Sequence, residues 1–123
     1  MTGDRKCLGN LGEKTATSYL KTLNYTILES NYRTRQAEID IIAKDDDTLC
    51  FIEVKTRRSS KKGLAKESIT MTKQKKIILG ARGYLAAKKI INTKVRFDVV
   101  EVYQKDGRLT ANLIKHAFEA GEY

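Results

Sequence analysis

The chain has 123 residues, a length that predicts one domain over residues 1–123 with a single hydrophobic core. One histidine and two widely separated cysteines argue against a zinc finger, a histidine-rich metal site and a disulfide framework. The net charge of +9 is concentrated between residues 55 and 76, where nine Lys or Arg accompany a single acid. Such a cluster is typical of a protein that binds phosphate backbones, although a solvated loop would carry the same charge.

The predicted elements alternate between two helices and five strands. Apolar residues at helical spacing predict helices over residues 10–23 and 72–88. Short apolar or alternating runs predict strands over residues 25–32, 38–43, 49–56, 95–103 and 109–114. Residues 57–70 have no clear period, and we expect a mobile loop there. The order α-β-β-β-α-β-β predicts an α/β fold in which helices flank one mixed sheet.

Three charged residues interrupt the second and third predicted strands, which otherwise read as core. If Lys44 faces Leu49 across the turn, then Asp40 faces Glu53, and Lys55 points to the same side of the sheet. The two carboxylates would lie within cross-strand reach, where like charges destabilise a hairpin unless a cation compensates them. A lysine or a divalent metal ion could supply that cation.

Each of these residue types suits phosphodiester chemistry. Carboxylates are preferred ligands of Mg²⁺ or Mn²⁺, and Mg²⁺ commonly takes one or two of them together with water and substrate phosphate. The backbone carbonyl of Val54 could complete the coordination, while Lys55 could orient the attacking water or stabilise the transition state. An exposed hairpin with an ordinary Glu–Lys pair has the same spacing, so spacing alone leaves both interpretations open.

The two predicted helices bring further charges. Glu13 lies near the inward stripe of the first helix, where it would need a cation, a metal ion or a donor unless it reaches solvent. Lys73, Gln74 and Lys76 begin the second helix, where free N–H groups favour a phosphate. Asp98 interrupts a core strand, and we expect it to pair with Arg96 or with a basic residue across the sheet.

The chain resembles the YraN family of small bacterial proteins over about residues 9–118. The resemblance lies in GNLGEKTATSYL, SNYRTRQAEIDIIAKDDDTLCFIEVKTR, SITMTKQKKIILGARGYL and VRFDVVEV. That family is assigned to the PD-(D/E)XK nuclease-like superfamily and is similar in layout to archaeal Holliday-junction resolvases. The resemblance implies an α-β-β-β-α-β core like that of restriction endonucleases.

The resemblance also implies roles for individual residues. Asp40 and Glu53 would bind the metal, Lys55 would be the catalytic lysine, and Glu13 would match the first-helix acid that joins the metal site in resolvase-like members. The chain departs from the family at Ala37, where the family usually has glycine. Glycine there would permit a positive φ or a close backbone approach, which alanine would alter.

Several basic and amide side chains are candidates for contact with nucleic acid. Lys73 and Gln74 fall where the superfamily often places a supporting Gln or Lys, and Arg33 resembles the family pattern but could equally hydrogen-bond within the fold. The full set of predicted contacts is Arg33, Arg57, Arg58, Lys61, Lys62, Lys73, Gln74 and Lys76.

We therefore expect a Mg²⁺- or Mn²⁺-dependent nuclease that acts on DNA rather than RNA, with branched DNA as one substrate class. A binding module without catalysis and a ribonuclease remain alternatives, because either would carry the same charge pattern. A homodimer would suit cutting of two strands in concert. No apolar run approaches transmembrane length and no signal-peptide pattern begins the chain, so we expect a cytoplasmic protein without a membrane partner.

Overall fold

The computed structural model describes the backbone of residues 2–57 and 69–120 and the side chains of residues 10–57 and 69–120. The described residues form two helices and five strands in the predicted order. In chain order these are α1 (Thr2–Thr22), β1 (Thr26–Arg33), β2 (Glu38–Asp45), β3 (Thr48–Arg57), α2 (Met71–Ala87), β4 (Lys94–Lys105) and β5 (Arg108–Phe118).

The strands form one mixed sheet in the order β1-β2-β3-β4-β5. β3 and β4 run parallel, and the other neighbours run antiparallel. Parallel neighbours require a crossover, and α2 lies on that connection. The predicted α/β fold with a mixed sheet is thus confirmed.

The helices cover opposite faces of the sheet. Successive residues of a strand point to opposite sides, so each strand contributes side chains to both faces. Cys50 and Ile52 pack with Ala16 and Leu20 of α1, in a cluster that also contains Tyr25, Ile41, Ala43, Val100 and Val102. The second cluster, on the other face, joins α2 to the sheet and contains Ile39, Ile42, Leu49, Phe51, Ile77, Ile78, Ala81, Tyr84 and Phe97. The candidate residues of the hairpin therefore lie between two packed layers.

Small residues set how closely the helices approach the sheet. A methyl group on Gly12 would overlap Oγ1 of Thr56, so α1 lies against the end of β3. On the other face, a methyl group on Gly80 would lie 3.0 Å from Cβ of Ala37 and 3.1 Å from Cδ1 of Ile39. These two approaches hold both helices at the end of the hairpin that carries Asp40.

Element boundaries differ from the predicted ones, most of all at the start of α1 and at the end of β5. α1 begins at Thr2, whereas the predicted helix begins at residue 10. The prediction omits residues 2–9 because they include two glycines and have no apolar stripe. β5 extends to Phe118, and its pairing with β4 shifts in register between Phe97 and Val99. Residue periodicity does not reveal this shift. β3 continues through Arg57, where the predicted loop begins, and residues 58–68 of the predicted loop lie outside the described part of the chain.

Two further predictions can be compared with the fold. Asp98 is fully buried and accepts hydrogen bonds from Arg96, as predicted. Cys50 is a buried free thiol, and burial raises its pKa to about 12, as expected of a thiol that packs in the core. No helix in the described ranges is long and apolar enough to cross a membrane.

Candidate functional site

The predicted register of the β2–β3 hairpin is confirmed from Asp45 to Ile41 of β2. Lys44 faces Leu49, and the paired ladder continues to Ile41 and Ile52. Beyond that pair, Oδ2 of Asp40 accepts a hydrogen bond from the Val54 N–H at 2.8 Å. A side-chain carboxylate thus satisfies a strand N–H at the point where the ladder ends, and this contact fixes Asp40 next to Glu53.

The two adjacent carboxylates strongly affect each other. Glu53 is 6% exposed, and burial, followed by the negative charge of Asp40, raises its pKa to about 7. Burial also raises the pKa of Asp40, while the hydrogen bond from Val54 opposes that rise. Because two close carboxylates cannot both ionise easily, the pair tends to retain a proton unless another cation replaces it.

One oxygen of this pair is left unsatisfied. Oε2 of Glu53 is buried and has no hydrogen-bond partner within residues 10–57 and 69–120. The other oxygen, Oε1, lies 3.7 Å from Nζ of Lys73. Buried carboxylate oxygens are normally paired, so an orphaned one indicates a proton or a missing ligand.

The arrangement fits a divalent cation held by two protein carboxylates. Across the described part of the chain, no three acidic, histidine or cysteine side chains form a group that could hold an ion. The Asp40–Glu53 pair would therefore need water and phosphate oxygens to complete the coordination, which is the arrangement that Mg²⁺ commonly adopts. The Val54 N–H is bound to Asp40, and the predicted role of the Val54 carbonyl stays a prediction.

Glu13 of α1 lies near this pair, on the face of the sheet that α1 covers. It is half-buried, and its negative charge contributes to the raised pKa of Asp40. Its own carbonyl accepts a hydrogen bond from the hydroxyl of Thr17 at 2.8 Å. Glu13 is thus an electrostatic neighbour of the pair, while its predicted role as a ligand stays a prediction.

Two lysines supply positive charge to the pair. The charges of Lys73 and Lys55 both oppose the rise in the pKa of Glu53. Lys55 is half-buried and lies two residues beyond Glu53, on the same side of β3. Lys73 is held by the helix cap, because its backbone N–H donates to Oγ1 of Thr70 at 3.1 Å. The site therefore contains two acids and two lysines from three elements.

The start of α2 contains a residue that the sequence interpretation missed. Thr70 is the N-cap of the helix, and a threonine directly before a helical apolar pattern is the signal that could have identified it. Gln74 donates from Nε2 to the Ile69 carbonyl at 3.1 Å, so its amide holds the helix start. The predicted contact between Gln74 and nucleic acid stays a prediction.

Other predicted contacts lie around the site. Nε of Arg33 lies 3.4 Å from Oε1 of Glu38, an exposed pair of the kind that contributes little to stability. Arg57 is half-buried at the end of β3, and Lys76 is exposed on α2. The remaining predicted contacts, Arg58, Lys61 and Lys62, lie outside the described residues.

Ala37 is accommodated without backbone strain. It is not among the described residues with a positive φ, so the alanine methyl group causes no conformational penalty there. Its backbone carbonyl accepts a hydrogen bond from the Thr34 N–H at 2.8 Å. Because Cβ of Ala37 lies opposite Gly80, the difference from the family pattern affects helix packing rather than the carboxylate pair.

Comparison with known proteins identifies the family. Residues 12–102 match the model of the uncharacterised protein family UPF0102. The chain is 44% identical to a UPF0102 protein of Desulforapulum autotrophicum over 119 residues, which cover 97% of this chain and 98% of that protein. It is 48% identical to a UPF0102 protein of Caldicellulosiruptor saccharolyticus over 117 residues, covering 94% of this chain and 99% of the relative. The chain therefore belongs to the UPF0102 (YraN) family.

Proposed function

We propose that the chain is a Mg²⁺- or Mn²⁺-dependent nuclease that hydrolyses phosphodiester bonds in DNA. The observation that carries the proposal is the buried Asp40–Glu53 pair with one unpartnered oxygen. Such a pair destabilises a fold unless a cation compensates it, and Lys73 at 3.7 Å from a single oxygen does so only in part. A divalent cation with a substrate phosphate would satisfy both carboxylates.

The side chains of the site have distinct roles in this proposal. When bound, the metal ion would neutralise charge on the phosphate and lower the pKa of a coordinated water. Asp40 and Glu53 hold the ion, with Asp40 fixed by the Val54 N–H. Lys55 orients the attacking water and stabilises negative charge at the scissile phosphate. Lys73 pairs with Glu53 in the absence of substrate. In its presence, Lys73 would contact the phosphate.

The surface next to the pair suits the backbone of double-stranded DNA. α2 contains no acidic residue, and its cations are Lys73, Lys75, Lys76 and Arg82. None of the aromatic side chains in the described ranges is exposed, so platforms for stacking unpaired bases are lacking there. On the α2 surface, cations without stacking aromatics favour contact with phosphates.

A cleavage assay tests this proposal directly. Duplex, single-stranded, flap and four-way-junction DNA, and matched RNA, would be incubated with the protein and Mg²⁺ or Mn²⁺. Asp40→Asn and Lys55→Met should lower the cleavage rate at least roughly 100-fold, the lower range for loss of a catalytic group. Asp46→Asn and Lys44→Met, exposed or turn positions on the same hairpin, are the matched controls and should cut at the wild-type rate. Equal rates for all four variants would contradict the proposal.

A binding module without catalysis is the second candidate, and the pKa of Glu53 favours it. Because that pKa is raised to about 7, a proton can stabilise the pair without any metal ion. A Mn²⁺ titration of the metal-free protein separates the two candidates. Saturable binding that Asp40→Asn abolishes supports the nuclease, whereas binding of DNA without binding of Mn²⁺ supports the module. Cleavage of the RNA substrates alone would indicate a ribonuclease.

A further inference from the structure

A groove of about 540 Å³ lies between α1 and the edge strand β1. All of its lining side chains are polar. They include Asn10, Glu13, Lys14 and Ser18 of α1 and Ser30 and Asn31 of β1. Volumes of this size are typical of sites for small organic ligands.

The groove is formed by two polar surfaces that face each other. Asn10, Lys14 and Ser18 recur every four residues and therefore share one side of α1. Ser30 pairs with Ile41, whose side chain lies in the cluster that α1 covers, so Ser30 points towards the same helix. Deeper along this face the helix and the sheet meet through apolar side chains, as at Leu20. Beside the edge strand, hydroxyl and amide groups take their place.

The groove adjoins the carboxylate pair. Glu13 lines the groove, and its charge also acts on Asp40. Lys73 of α2 acts on Asp40 as well, from the opposite face of the sheet. Asp40 therefore lies between the polar groove on one side and the cationic surface of α2 on the other.

The chemistry of the groove differs from that of α2. Its one lysine is accompanied by one glutamate, and the remaining lining groups are hydroxyls and carboxamides, which both donate and accept hydrogen bonds. A phosphate site would carry an excess of positive charge, as α2 does. Sugars and base edges present donors and acceptors together, which this lining can satisfy.

We propose that this groove binds the sugar and base of the nucleotide adjacent to the phosphate held at the Asp40–Glu53 pair. Its place next to a reacting phosphate rests on the proposed nuclease function. A nucleic-acid strand would pass from the cationic surface of α2, across the pair, into the groove beside α1. The ligand class is a nucleotide, and the groove can receive either a deoxyribose or a ribose.

NMR titration with a dinucleotide tests the groove. The full chain, labelled with ¹⁵N and kept in EDTA, would be titrated with thymidylyl-thymidine and with uridylyl-uridine. We expect saturable shifts of the backbone amide signals of Ser30 and Asn31 with at least one of them, and the tighter of the two identifies the sugar. Shifts restricted to α2 would overturn the proposal.

Variants that fill the groove give a second measurement. Asn10→Leu and Ser30→Leu should weaken dinucleotide binding at least roughly tenfold, about the effect of losing one hydrogen bond to a ligand. Asn112→Leu, at an exposed position of β5, is the matched control and should bind like the wild type. The ¹⁵N spectra of the variants verify that they are folded, and if one is not, the other is used. Affinities equal to that of the control would overturn the proposal.

The outcomes separate this proposal from the nuclease proposal. If the wild type cuts DNA and both groove variants bind the dinucleotides normally, the groove proposal fails while the nuclease proposal stands. If the wild type cuts nothing but the groove signals shift and the variants lose binding, the groove is a nucleotide site in a protein without nuclease activity.

Discussion

Replacing Glu53 with glutamine should change how the free energy of unfolding depends on pH. Burial, together with the charge of Asp40, raises the pKa of Glu53 to about 7, from an ordinary value of 4.5. Between these two pH values the folded, metal-free chain retains a proton that the unfolded chain has released. Since the folded state then binds more protons, its stability decreases as the pH rises through this range and is lowest above pH ~7.

The size of this effect follows from the gap between the two pKa values. Each pKa unit corresponds to about 1.4 kcal/mol, so the wild type should lose about 3 kcal/mol of unfolding free energy through Glu53 between pH ~4.5 and pH ~7. Glutamine has nearly the same shape as glutamate but does not titrate. We therefore expect Glu53→Gln to gain stability relative to the wild type as the pH rises, by up to about 3 kcal/mol.

Urea unfolding in EDTA at pH values from about 4.5 to 8.5 measures this difference through the transition midpoint at constant m-value. Asp46→Asn, at the exposed turn of the same hairpin, controls for the loss of one carboxylate. Addition of Mn²⁺ at the highest pH should stabilise the wild type and leave Glu53→Gln unchanged, because only the wild type retains both carboxylates. A stability difference that stays constant across the pH range would refute a buried, proton-holding Glu53.

Three further changes have defined outcomes. Lys73→Met removes a cation 3.7 Å from Oε1 of Glu53 and should tighten Mn²⁺ binding, measured by calorimetry, roughly three- to tenfold. Lys75→Met is the exposed control, and weaker binding by Lys73→Met would contradict the compensating role of Lys73. Gly12→Ala should lower the free energy of unfolding by about 1–3 kcal/mol in urea, because its methyl group would overlap β3, whereas Gly83→Ala, with open space around it, should raise it by about 0.5–1 kcal/mol. Lys75→Gln should reduce the salt dependence of duplex affinity by about one unit of log–log slope, and an unchanged slope would place the DNA elsewhere.

The hairpin register could be predicted from the sequence because it depends on local rules. Side chains alternate with a period of two, so the pairing across the turn decides which residues of the two strands share a face. The short turn between the strands then fixed which residues face each other. Asp40 and Glu53 were therefore placed side by side without any knowledge of the helices.

The positions of the helix residues could not be predicted in the same way. The position of Glu13 relative to the pair depends on how closely α1 packs on the sheet. That close packing requires glycine at position 12, because any side chain there would overlap Thr56. Likewise, Lys73 reaches Glu53 because Thr70 caps α2 at a particular residue. Both positions depend on packing between elements distant in sequence, and residue periodicity carries no information about that packing.

The sheet itself contains a comparison that argues for a ligand at Glu53. Asp98, one strand away, is even more buried, yet its carboxylate accepts hydrogen bonds from Nε and Nη2 of Arg96, both at 2.8 Å, and from the His116 N–H at 2.9 Å. This is how a buried acid with a structural role is satisfied. Glu53 has a distant lysine on one oxygen and no partner among the described residues on the other. Because this fold satisfies Asp98 fully, the unsatisfied oxygen of Glu53 supports the proposed ion there, and the Mn²⁺ titration distinguishes that ion from a proton retained between Glu53 and Asp40.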